Sequence, residues 1–141
     1  MTTEKATVLI VDDDVRALES LERVLIDDFD VRTARSAAEA LKVLKTDWVQ
    51  VILCDQRMPG TTGVEFLKDV RRRWPDVIRI IISAYTDPDE ILAAVNAAGI
   101  YQYVTKPWDP QQLVLTLRKE PKERFPNFGR RRHSPRLLAL V

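Results

Sequence analysis

Three acids, a hydroxyl and an amine stand in this chain where apolar runs end. VLIV gives way to Asp12, Asp13 and Asp14, VILC to Asp55, IRIII to Ser83, and YQYVT to Lys106-Pro107. Taken singly, each is a polar residue marking where a loop begins. That explanation does not readily cover an acid closing the apolar run at Asp55, or a lysine before a proline in an apolar stretch. Asp12, Asp13 and Asp55 carry −3 and Lys106 returns +1. At ~4 Å and an effective dielectric of about 20, each carboxylate pair repels by roughly 4 kcal/mol. A divalent cation brings the sum to zero, and an all-oxygen donor set selects a hard ion, so Mg²⁺ is expected. A metal and an ammonium beside a carboxylate suit phosphoryl transfer. Both neutralise charge on the phosphoryl oxygens, the carboxylate attacks to give an aspartyl phosphate, and Ser83 can hydrogen-bond a further oxygen.

For these residues to meet, the elements carrying them must end at one edge. The strand candidates are 6–12, 30–34, 49–55, 77–83 and 101–106. The first, third and fourth are almost continuously apolar and β-branched, as strands of a parallel sheet covered on both faces must be. Helical patterns alternate with them, as in Val15, Leu18, Leu21 and Leu25 at near-3.6 spacing. Four helix starts place an Asp, Ser or Thr three residues before a Glu or Gln: Ser36 and Glu39, Thr62 and Glu65, Asp87 and Glu90, Asp109 and Gln112. Each pair can satisfy orphaned backbone N–H groups reciprocally. Asp87-Pro88 and Asp109-Pro110 also put proline where its missing donor costs nothing. Five βα repeats predict an α/β domain with right-handed crossovers and helices on both sheet faces. In such a sheet, ligands bind outside the carboxyl ends of the strands, where the acids, Ser83 and Lys106 fall.

With 141 residues, the chain is expected to form one domain with a real core. No apolar run approaches the ~18 residues of a membrane span, and the first residues lack a signal peptide's layout. Cys54 is the single cysteine, which rules out an intrachain disulfide and makes a reducing cytoplasm the expected compartment. The net charge of +1 conceals an asymmetry: residues 118–141 hold eight Lys/Arg and two Asp/Glu, or +6, which leaves −5 for the rest. The expected division is a domain over 1–120 and a basic, proline-containing tail over 121–141, poorly ordered or an addition to the domain. Arg130, Arg131 and Arg132 in that tail come with no DNA-binding motif, so no direct nucleic-acid contact is expected.

The ordered set VDDD, Asp55 with MPGTTG behind it, Ser83-Ala84, and Tyr103-x-x-Lys106-Pro107 resembles the receiver domain of two-component response regulators. The resemblance covers residues 6 to about 119. It implies a doubly wound, flavodoxin-like sheet of five parallel strands in the order 2-1-3-4-5. It also implies roles: Asp55 as phosphoacceptor, Asp12 and Asp13 with Asp55 holding Mg²⁺, the backbone carbonyl of Arg57 completing the metal site, Ser83 and Lys106 on the phosphoryl group, Tyr103 as switch aromatic, and a cis Lys106-Pro107 bond. The implied partners are a sensor histidine kinase and an output domain, expected as an ATPase with a DNA-binding unit. A homodimer through the fourth helix, fifth strand and fifth helix is one arrangement open to the chain. CDQRMPGTTGVEFL and AAGIYQYVTKPWDP look most like receivers of NtrC-type activators of hydrogenase genes; related wording occurs in receivers of HD-type cyclic-dinucleotide phosphodiesterases. Arg57 and Tyr85, two residues after Asp55 and Ser83, are expected to obstruct the hydrolytic water and slow self-dephosphorylation.

A rival from another class is a haloacid-dehalogenase-like phosphatase, with Asp12-x-Asp14 as its opening and Asp12 as nucleophile. It lacks the acidic pair expected beyond the lysine and any cap domain, and it leaves Asp55 without a role. The expected chain is therefore not an enzyme beyond gaining and losing its own phosphoryl group. Blander roles cover the rest. Asp14 is expected at a helix N-terminus, Cys54 as packing on the sheet face opposite Asp55, Arg71-Arg72-Arg73 as a solvated helix end, and Trp48 and Trp74 as caps on the core. Trp108 and Tyr103, if partly exposed, would mark a partner surface.

Overall fold

Apolar side chains on both sides of a strand demand cover on both sides, and that demand sets the architecture. A computed structural model describes residues 5–84 and 87–124, the last six of these by backbone alone. The strands are β1 (Thr7–Val11), β2 (Asp30–Ala34), β3 (Val51–Asp55), β4 (Arg57–Met58), β5 (Thr61–Thr62), β6 (Ile78–Ser83) and β7 (Gln102–Thr105). The helices are α1 (Val15–Leu25), α2 (Ala37–Thr46), α3 (Gly63–Arg73), α4 (Pro88–Ala98) and α5 (Pro110–Arg124). Five strands form a parallel sheet in the order β2-β1-β3-β6-β7. With the short antiparallel ribbon β4–β5 set aside, that is the expected 2-1-3-4-5. The ribbon itself escapes a periodicity reading because two-residue strands have no period.

Alternation along the strands sorts the core into two halves. Leu9, Val11, Ile52, Cys54 and Ile81 pack with Ala40 and Leu44 of α2, Phe66, Leu67 and Val70 of α3, and Ala94 and Ala98 of α4. Val8, Ile10, Val51, Leu53, Ile80 and Ile82 pack with Leu18, Leu21 and Leu25 of α1 and Leu113 and Leu117 of α5. Each Val, Leu, Ile or Phe among them, fully buried, stabilises the fold by about 1.5–3 kcal/mol. Cys54 thus lies on the face opposite that of Leu53, as expected, and burial pushes its thiol pKa well above the ordinary value. Trp74 packs against the first cluster, with Arg73 over its ring at 4.7 Å.

The helix starts follow the caps that the sequence spells. Thr62 and Glu65 form the complete reciprocal box. Ser36 accepts from Glu39 N, but the Glu39 carboxylate turns to the N–H of Arg35, one residue before the cap. Asp109 accepts from Gln112 N, and Asp87 from Asp89 N rather than from Glu90. Asp14 caps α1 by accepting from Arg16 N. At the other end of α4, Gly99 takes the left-handed conformation that closes the helix (φ +61°), and the Arg71 and Arg79 side chains donate to its last carbonyls, those of Asn96, Ala97 and Ala98. The α5 backbone runs to Arg124, four residues past the domain boundary expected at 120; residues 125–141, with most of the expected tail, lie outside the described residues.

Candidate functional site

Parallel pairing in register brings the strand ends to one edge, and with them the acids. Val11 lies opposite Cys54, so Asp12 and Asp55 follow on adjacent strands; Asp55 lies opposite Ile82, and Ser83 opposite Thr105. Asp12 (1% exposed), Asp55 (7%) and Ser83 (1%) are buried, while Asp13 is exposed. Oxygens of Asp12, Asp13 and Asp55 lie within 4.8 Å of one another. Lys106 enters from the end of β7, next to a cis Lys106-Pro107 bond, and its backbone N–H donates to the Ser83 carbonyl at 2.9 Å. Its Nζ donates to Asp55 Oδ1 at 2.8 Å and stands 3.6 Å from Asp12 Oδ2.

The electrostatics are unbalanced. Burial raises the Asp12 pKa above the ordinary carboxylate value, the N–H of Asp14 on Oδ1 works against that, and the charge of Asp55 adds to the rise. Burial disfavours the Lys106 ammonium, but its hydrogen bond to Asp55 and the charges of Asp55 and Asp12 outweigh this and hold its pKa above the usual lysine value. Asp12 Oδ2 is buried and, among the described residues, accepts no hydrogen bond, with Lys106 Nζ at 3.6 Å as its nearest charge partner. A buried carboxylate oxygen without a hydrogen bond is costly. Three carboxylates converging through hard oxygen donors, one of them otherwise unsatisfied, fit a divalent cation such as Mg²⁺.

The remaining expected residues are placed as follows. Arg57 lies on the exposed ribbon behind Asp55, its backbone in register with Thr62. Tyr103 sits mid-β7, half-buried against the α2/α3/α4 side of the core, three residues before Lys106. Trp108 is half-buried against the opposite half of the core. Tyr85 falls outside the described residues. Two residues behind Asp55 were not singled out from sequence. Gly63 opens α3 so near the acceptor strand that a Cβ there would stand 2.5 Å from the Asp55 carbonyl oxygen. A glycine at the first turn of a helix is the signal that could have exposed it. Gln56 receives the N–H of Gly63 on its backbone carbonyl (2.8 Å) and that of Val64 on Oε1 (3.0 Å); no local sequence signal announces it.

Residues 8–118 match the response regulator receiver domain. The chain is 56% identical over 119 residues to the hydrogenase transcriptional regulatory protein HoxA of Cupriavidus necator, covering 84% of this chain and 25% of that protein. It is 32% identical over 117 residues to the DNA-binding transcriptional regulator NtrC of Escherichia coli, covering 82% and 25%. It thus spans about a quarter of the length of the curated relatives it matches. Among solved structures, the signal receiver domain of an HD domain-containing protein from Pseudomonas fluorescens Pf-5 superposes with a TM-score of 0.81 at 29% identity, covering 86% of this chain and 98% of that one.

Proposed function

The chain belongs to the response regulator receiver domain family, and from that premise we propose that it is a phosphorylation-controlled switch in which Asp55 accepts a phosphoryl group from a histidine kinase. Asp12, Asp13, Asp55 and the Arg57 carbonyl would hold Mg²⁺, which when bound shields the charge of the incoming phosphoryl oxygens. The observation that carries the reading is the Lys106 ammonium, 2.8 Å from Asp55 Oδ1 in a hollow where three carboxylates converge. Lys106 orients Asp55 before transfer and moves onto a phosphoryl oxygen afterwards; Ser83, at the end of the neighbouring strand, donates its hydroxyl to another. Modification turns a side chain of −1 into one of roughly −2 with three acceptor oxygens. Because the Ser83 carbonyl is tied to the Lys106 N–H, movement at Ser83 is felt on β7, where Tyr103 is half-buried. Tyr103 then turns inward and the α4, β7 and α5 face repacks. The phosphoryl group shifts a pre-existing equilibrium by as much as its interactions differ between the two states.

The output is transcriptional control through an ATPase and DNA-binding unit in the same protein, a reading supported by the name and the 56% identity of the HoxA relative. An HD-type phosphodiesterase output is the weaker reading, its support a structural neighbour at 29% identity. A cytoplasmic setting suits a kinase-fed receiver; among the described residues no helix is long and apolar enough to cross a membrane. The haloacid-dehalogenase-like reading is disfavoured by the family match and by the lysine, which hydrogen-bonds Asp55 rather than Asp12. Acetyl phosphate with Mg²⁺ should give acid-labile labelling that Asp55→Asn abolishes. Borohydride trapping followed by peptide mass spectrometry should place the label on Asp55, and a label on Asp12 would overturn the assignment.

A further inference from the structure

The segment that follows Asp55 is clasped from the α3 side through Gln56. Arg57 and Met58 pair with Thr62 and Thr61 in a ribbon two residues long, and isolated two-stranded ribbons are marginal in water. One side of the ribbon is open: Gln56, Arg57, Met58, Pro59, Thr62 and Glu90 line a groove of about 490 Å³. Behind it stands the N-terminus of α3, whose first N–H groups have no partner within the helix. Three of them are satisfied locally: Glu65 N donates to Thr62 Oγ1 at 3.1 Å, Gly63 N to the backbone oxygen of Gln56 at 2.8 Å, and Val64 N to Gln56 Oε1 at 3.0 Å. Val64 offers a donor, so the amide oxygen of Gln56 must face it. Gln56 therefore grips the first turn of α3 with both of its oxygens. That turn packs closely against β3: a Cβ at Gly63 would stand 2.5 Å from the Asp55 carbonyl oxygen.

We propose that Gln56 is a positioning residue for the cation site: by clasping α3 on one side, it fixes the orientation of the next peptide and so aims the Arg57 carbonyl at the acidic hollow. This rests on the reading that the hollow and that carbonyl hold Mg²⁺. With the Oε1 bond broken, the Gly63 N–H still ties the Gln56 carbonyl to α3, but the 56–57 peptide is held by one clasp in place of two. The chain carrying the Arg57 carbonyl is then less well oriented for Mg²⁺, while the three carboxylates stay where β1 and β3 put them.

Gln56→Met keeps the side chain's length and removes the acceptor; Gln56→Glu keeps an acceptor oxygen. Three measurements separate positioning from structure: Mg²⁺ titration calorimetry, amide hydrogen exchange at Val64, and thermal unfolding in chelator. For Gln56→Met, Mg²⁺ should bind roughly fivefold or more weakly, the loss of about one hydrogen bond's worth of pre-orientation. The Val64 amide should exchange faster, and unfolding in chelator should stay near the wild-type temperature. Gln56→Glu should restore Val64 protection and bind Mg²⁺ at least as well as wild type. Faster Val64 exchange with unchanged Mg²⁺ affinity in Gln56→Met overturns the proposal, as does a Gln56→Glu variant that binds as weakly as Gln56→Met. Absence of Mg²⁺ binding in the wild-type chain would instead bring down the receiver-site reading beneath it.

Discussion

The buried polar residues among those described divide evenly between the two ends of the sheet. Thr7, Gln50 and Arg79 lie at the amino ends of β1, β3 and β6; Asp12, Asp55 and Ser83 lie at the carboxyl ends of the same three strands. Burial is alike, but the electrostatic solutions differ. At the amino end, side chains are spent on backbone. Gln50 Oε1 accepts from Thr7 N at 2.6 Å, and Arg79 donates to the carbonyls of Ala98 and Val77 at 2.9 Å and of Pro75 at 3.3 Å. The guanidinium thereby also faces the negative end of the α4 dipole. At the carboxyl end, acid meets acid, one lysine answers three carboxylates, and a buried Asp12 oxygen has no hydrogen bond among the described residues. Each end leaves one atom of these residues without a hydrogen bond among the described residues, but at the amino end it is a neutral amide nitrogen, Gln50 Nε2, and at the carboxyl end an oxygen of a carboxylate, Asp12 Oδ2, set among other acids. The charged shortfall is the costlier one.

The largest effect should come from the amino end. Arg79→Met removes charged donors from buried carbonyls and leaves the C-terminus of α4 without one of its two arginine partners. A loss of roughly 3 kcal/mol is expected, enough to lower the melting temperature of a domain this size by about 10 °C. The stabilisation brought by Mg²⁺ should survive intact. Thermal unfolding in chelator and in Mg²⁺ measures both, and a melting temperature equal to wild type would break the comparison at its firmer side.

Asp12→Asn tests the other end, and its sign should be opposite. The folded-state pKa of Asp12 is raised, so the folded chain holds that proton more tightly than the unfolded chain. The carboxyl therefore favours folding at low pH, and that advantage is lost as pH rises through the folded-state pKa. At neutral pH in chelator, the asparagine variant should be more stable than wild type by about 1 kcal/mol, with a flatter acid limb. It should also gain far less from Mg²⁺. If the variant is destabilised in chelator, the carboxyl end is not the strained one.

The same contrast explains what was legible in the sequence. The strand expected at 30–34 matches β2 to the residue, and the other four overran by one or two, because apolar periodicity reports burial and not where a ladder ends. Asp12, Asp55, Ser83 and Lys106 were readable because an ionisable group at the end of an apolar run has no cheap structural excuse. Arg79 was not, since its carbonyl partner on α4, that of Ala98, is brought to it only when α4 crosses back over the sheet between β6 and β7. Gln56 was hidden for a related reason. Its bond to Val64 spans eight residues and forms only once Gly63 lets α3 press against β3. The capping pairs mark helix starts correctly, but only Thr62 and Glu65 close reciprocally, because a side chain that can reach two backbone donors takes the better-placed one.

The smallest effect belongs to neither end and calibrates both. Asp69, on the flank of α3, accepts a hydrogen bond from Arg72, with Arg73 at 3.5 Å, and the Arg72 bond is the main cause of its lowered pKa. A lowered carboxyl pKa contributes stability above the unfolded-state value, and that contribution is lost as pH falls through the folded-state pKa. Asp69 is a surface group, so water and salt screen most of that contribution. A carboxyl chemical-shift titration should place the Asp69 midpoint below the ordinary aspartate value. Arg72→Gln should move it back up, and the unfolding temperature should hardly change. Were this exposed pair to matter to stability as much as Arg79, burial could not be the variable that separates the two ends of the sheet.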